Sequence, residues 1–141
     1  MTSAGDPATA HMRDWLLVDA ALALHVTDEA LTHFLDFYNP LVLRIRERIG
    51  WFPMPTFTFR VWLTGLILLV ILLAALTPVI RNRPTLGRVL SWILAVIMFG
   101  NGCGHLLGSV YFQQWLPGTT SAPLLIITSV MLMRSAAARR A

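Results

Sequence analysis

The stretch ALALHVTDEALTHFLDFYNP, residues 21–40, places two histidines and three acids in an otherwise apolar chain. His25 and Glu29 are four residues apart, which puts an imidazole and a carboxylate on one side of an α-helix. Such a pair, joined by one more ligand, suits a zinc-like divalent metal that keeps a position open for water. The candidate third ligand is His105, in FGNGCGHLLG. The expected metal set is therefore His25, Glu29 and His105. Glu29, Asp28 and His33 are the candidate catalytic groups, and Asn101, Asp36, Thr32 and Gly104 are expected to support them.

At about 100° per residue, His25, Asp28, Glu29, Thr32 and Asp36 fall in one sector, with His33 at its edge. Leu17, Leu24, Leu31 and Leu35 face the other way. Three functions suit the stripe. The first is metal-dependent hydrolysis of a lipid-like substrate. The second is metal-free acid–base chemistry on a lipid or isoprenoid. The third is a buried polar network that holds helices together or carries an ion. With four histidines in the chain, oxygen-activating di-iron chemistry is poorly supplied.

Composition says what must position these groups. The chain has 141 residues, 56% hydrophobic and 13% charged, against roughly 25% charged in an ordinary soluble domain. No charged residue occurs from Val61 to Ile80, from Val89 to Phe112, or from Thr119 to Met133. A bilayer span needs about 20 apolar residues. The expected fold is an all-α membrane protein, a four-transmembrane-helix bundle with spans at about 14–36, 57–80, 89–112 and 119–138. The first span carries the polar stripe, turned inward because charge at membrane depth is costly. Residues 1–13 read as a flexible tail in which His11 has no role. A short amphipathic helix at about 41–50 is expected to lie in the interface. Pro40 should end the first helix, because the residue before proline avoids helical geometry. Gly100, Gly104 and Gly108 form a doubled G-x-x-x-G, expected to let the first helix dock beside Asn101 and His105.

Net charge is +4, and all eleven basic residues are arginine. They flank the apolar segments and form no basic domain, so membrane lipids rather than nucleic acid are the expected partners. Arg13, Arg81, Arg83, Arg88, Arg134, Arg139 and Arg140 would lie on one side; Arg44, Arg46, Arg48 and Arg60 would lie on the other. That bias predicts both termini in the cytoplasm, and a bacterial inner membrane is the expected location. A secretory signal is not expected, since Asp19 interrupts the first apolar region. Cys103, alone, can form no internal disulfide.

The chain resembles the bacterial membrane-protein family named for its H-x-x-E-E motif. His25 and Glu29 match that motif, with Asp28 where the family has its first glutamate. Asn101 and His105 match the family's asparagine–histidine pair, and Tyr111 with Pro117-Gly118 matches a further element. The resemblance runs from about residue 14 to 130. It implies a small protein of few spans and supports the site without naming a reaction.

Overall fold

A computed structural model describes residues 6–138, which are helical with no strand among them. The helices are α1 Pro7–Leu31, α2 Phe34–Ile49, α3 Phe59–Ala75, α4 Thr77–Asn82, α5 Pro84–Phe112 and α6 Ala122–Ala138. Two stretches, Phe59–Asn82 and Pro84–Phe112, are long and apolar enough to cross a membrane.

α1 begins seven residues earlier than the sequence reading placed it. The Asp6 side chain caps the helix by accepting from the Ala8 N–H, and Pro7 occupies the first turn, where its missing N–H costs nothing. Residues 7–13 of the expected tail are thus helix, and residues 1–5 lie outside the described residues. His11 is completely buried: its Nδ1 lies 3.1 Å from Ser135 Oγ and its Nε2 3.0 Å from Ser91 Oγ. It joins the start of α1 to the first half of α5 and the end of α6. The start of α1, the α4–α5 turn and the end of α6 therefore share one end of the bundle.

The first helix also ends sooner than expected. Thr32 closes α1 by returning both its N–H and its hydroxyl to the Asp28 carbonyl, and His33 then adopts a left-handed conformation with φ 58°. A new helix starts at Phe34 and continues through Pro40, which therefore sits inside α2 instead of ending α1. The expected amphipathic segment at 41–50 is the C-terminal part of this longer helix. Asn39 holds the extended chain behind α2, accepting from the Phe57 N–H and donating to the Phe57 carbonyl.

Of the polar stripe, His25 and Glu29 turn inward as expected, Asp28 is half-buried, and Thr32 and Asp36 are exposed. His11, Asp14, Asp19, His25 and Glu29 are buried, while Leu17, Leu24 and Leu31 are exposed. Leu35 was expected on the outer face but is buried, because the break at Thr32–His33 re-aims everything after it. Trp15, Val18, Leu22 and Val26 pack with Leu73, Leu94, Met98, Leu125 and Leu132 in the core. The Trp15 indole, inside this core, donates to the Leu73 carbonyl across α3.

The glycines of α5 act differently from the expectation. α1 packs mainly on α6 and α3, and only lightly on α5. The buried stripe of α5 is Gly87, Ser91, Leu94, Ala95, Met98 and Gly102, at helical spacing. A Cβ at Gly102 would meet Ile126 Cγ1 at 2.7 Å and the Ala122 carbonyl oxygen at 3.0 Å, whereas Gly100 and Gly104 face open space. The close approach is therefore between α5 and α6, two residues off the G-x-x-x-G register. Gly102→Ala is expected to destabilise by about 1–3 kcal/mol through overpacking. Gly100→Ala should be neutral or stabilising by up to about 1 kcal/mol. Thermal melting in detergent measures both, and equal melting temperatures would dismiss this account of the helix contact.

Candidate metal centre

Two helices and one loop build the site. His25 and Glu29, one turn apart on α1, point into the bundle. His105 comes from the last third of α5. Loop 113–121 folds back over both, because Gln113 turns out of the helix with φ 52° and the Ser109 and Thr119 hydroxyls meet at 2.6 Å.

Glu29 Oε1 lies 3.1 Å from His105 Nε2 and 3.6 Å from His25 Nε2. One ligand atom from each of the three residues falls within 4.8 Å of the others. The two imidazoles meet edge to face, with centroids 4.7 Å apart. His25 and Glu29 are buried and His105 is half-buried.

The hydrogen bonds behind the rings fix their tautomers. His105 Nδ1 lies 2.6 Å from the Pro117 carbonyl oxygen, which can only accept, so Nδ1 carries the proton. Ser121 donates its hydroxyl to Asp28 Oδ2 at 2.7 Å, and Asp28 Oδ2 also accepts from the Ser121 N–H at 3.0 Å. Ser121 Oγ, 2.8 Å from His25 Nδ1, is thereby left to accept, and His25 too is protonated at Nδ1. In the neutral rings both Nε2 atoms then present lone pairs toward a carboxylate. His25 Nε2 is buried without a well-formed hydrogen bond, with the Asn101 side chain beside it. Three acceptors converge, and a cation placed between them could satisfy all three.

The three residues could hold a metal ion. Bonds of about 2.0–2.1 Å in tetrahedral geometry imply ligand–ligand edges of roughly 3.3 Å; the two edges from Glu29, 3.1 and 3.6 Å, bracket that value, and the edge between the two imidazoles is within 4.8 Å. Imidazoles that donate their second N–H to a carbonyl, or through a hydroxyl to a carboxylate, are the usual backing of histidine ligands.

The other sequence-nominated residues divide. Asp28 reaches the site only through Ser121. Asn101 lines a cavity of about 280 Å³ together with His25, Glu29 and His105. Gly104 and Asn101 line a second cavity of about 250 Å³ against His105. Thr32, His33 and Asp36 are exposed and stand outside the cluster, because the break after Leu31 carries them away. His33 and Asp36 instead line a separate cavity with Asn39 and Trp62.

Ser121, the Pro117 carbonyl and Gly118 were not nominated as site residues. Gly118 has φ +82°, and a Cβ there would meet His105 at 2.8 Å and His25 at 3.0 Å. Its missing side chain makes room for both rings. The Pro117-Gly118 turn was visible in the sequence; its contact with the histidines was not.

The fold and cluster define an all-helical protein with helices of membrane-spanning length around an internal His–Glu–His centre. Residues 15–132 match the family described as "Protein of unknown function with HXXEE motif", and the chain belongs to that family. No curated protein and no solved structure matches the chain.

Proposed function

We propose that this is a four-span integral membrane protein whose His25, Glu29 and His105 bind a zinc-like ion and hydrolyse a lipid-like substrate. The convergence of two Nε2 lone pairs on a buried carboxylate carries the metal assignment. Such an ion would supply a Lewis acid and would lower the pKa of water enough to furnish a hydroxide nucleophile for an ester or amide at neutral pH. Ser121 and Asp28 hold His25 in register, and the Pro117 carbonyl does the same for His105. Asn101, beside all three ligands, is placed to orient a substrate oxygen. His33 has no part in this scheme.

The substrate class rests on the cavity that reaches the centre. Its walls include Leu22, Val26, Leu66, Leu69 and Met98 beside His25, Glu29, Asn101 and His105. α3 packs on α1 and α4, and α5 on α6 and α4, so this cavity lies in the gap between α3 and α5. Ile67, Leu68, Ile71 and Leu72 of α3 and Ile93, Val96 and Ile97 of α5 are exposed on the same two helices. Exposed apolar surface of that extent suits lipid. In this arrangement α1, α3–α4, α5 and α6 cross the bilayer and α2 lies at its surface.

Protein purified in mild detergent is expected to carry zinc, or a similar ion, at one per chain by elemental analysis. Ser121→Ala should weaken that binding by about 10- to 100-fold. A second reading draws on the same 3.1 Å contact: a proton shared by Glu29 and His105 would serve metal-free acid–base chemistry. Lipid or isoprenoid copurifying with metal-free, active protein would decide for it.

We also propose that the termini face the cytoplasm of a bacterial cell. The shared end of the bundle carries Arg13, Arg81, Arg83, Arg88 and Arg134, and the opposite end Arg44, Arg46, Arg48 and Arg60. Arg139 and Arg140 lie outside the described residues. A C-terminal reporter fusion should be active only as a cytoplasmic enzyme; activity confined to the other side would reverse the orientation.

A further inference from the structure

Three arginines crowd the C-terminal half of α2, and they are not equivalent. The Arg46 guanidinium is committed to the Met54 carbonyl. Arg44 and Arg48, one turn apart, instead line a cavity of about 500 Å³ with Leu41, Ile45, Tyr111 and Phe112. Among the described residues neither makes an ion pair, and Glu47 does not line the cavity. Two like charges at this spacing repel each other, so the arrangement is favoured by an anion between them. Two guanidinium forks and a phenol match the oxygens of a phosphate, and Leu41, Ile45 and Phe112 offer apolar wall to whatever is attached to it.

One pair of rings links this cavity to another beside His105. Phe112 packs edge to face on Phe37, with centroids 5.2 Å apart, and Phe37 lines the cavity that holds Asn101, Gly104 and His105. We propose that Arg44, Arg48 and Tyr111 form a phosphate site that anchors the headgroup of the centre's substrate, an anionic phospho-amphiphile. The site follows from these residues alone; its role toward a substrate rests on the metal-centre reading above.

The test uses the full chain in detergent, with phosphatidylglycerol and phosphatidylcholine as probes. Lipid retention is read by native mass spectrometry, and zinc by elemental analysis. The double variant R44Q/R48Q is expected to lose its preference for phosphatidylglycerol by about tenfold or more, with zinc unchanged. Arg60→Gln, an exposed arginine on the same end of the bundle, should leave the preference intact. Undiminished preference in the double variant, or an equal loss in Arg60→Gln, would overturn the proposal. Inorganic phosphate that displaces the lipid at comparable concentration would make free phosphate the ligand and overturn the lipid assignment. Arginine-dependent retention by a wild-type chain without zinc would sustain the phosphate site and remove only the metal reading.

Discussion

His105→Ala should abolish stoichiometric zinc binding while leaving the helical fold largely assembled. The imidazole is one of the three proposed ligands, and loss of even a group that backs a ligand costs about 10- to 100-fold in affinity, so loss of a ligand itself should exceed that range. Its neighbour Leu106 is half-buried on α5 and touches none of the site's hydrogen bonds. Leu106→Ala should cost at most about 2–3 kcal/mol of packing and leave zinc content unchanged. The comparison separates function from structure. If the cluster serves only to hold the helices together, removing His105 strands the buried Glu29 carboxylate, at a cost of about 3–5 kcal/mol. The variant should then misassemble, while Leu106→Ala behaves normally. Zinc content and thermal melting of both proteins decide the matter.

Gly118→Ala should do comparable damage by another route. Its positive φ disfavours any side chain by about 1–2 kcal/mol. Its Cβ would also enter the space of both imidazoles, and overpacking adds about 1–3 kcal/mol. Gly50 provides the control: its φ is +74°, but a Cβ there meets nothing within 4 Å. Gly50→Ala should therefore show the backbone cost alone and keep its zinc. Gly118→Ala should melt at a clearly lower temperature and lose zinc, because the rings must move to admit the methyl group. Equal melting, with zinc retained in both, would mean that the two histidines are not held as described.

The grouping of side chains was legible in the sequence wherever it depended on one helix. Spacing put His25 and Glu29 on one face and turned Leu17, Leu24 and Leu31 outward; His105 was reached as a polar group in another apolar segment. The start of α1 was missed, because residues 1–13 were read by their small and polar composition although Asp6 caps a helix that begins at Pro7. The early end of α1 was harder to see. The stripe continues through Thr32, His33 and Asp36 at helical spacing, and nothing in residue type marks His33 as the one left-handed position between two helices. Periodicity extrapolates through a break, and a single reversed φ discards everything beyond it.

Tertiary structure decided the contacts between distant segments. Ser121 and Asp28 are 93 residues apart, and His105 is steadied by a backbone carbonyl that every residue possesses, so neither partnership leaves a mark in composition or spacing. The glycines of α5 show the same limit. Gly100 and Gly104 carry the recognisable motif, yet Gly102 makes the contact, because the neighbour is α6 and its direction sets which face must be smooth. Local spacing determined which side chains could act together on one helix. Only the packing of helices and the return of loop 113–121 determined which acceptors converge, since that depends on where separate segments meet in space.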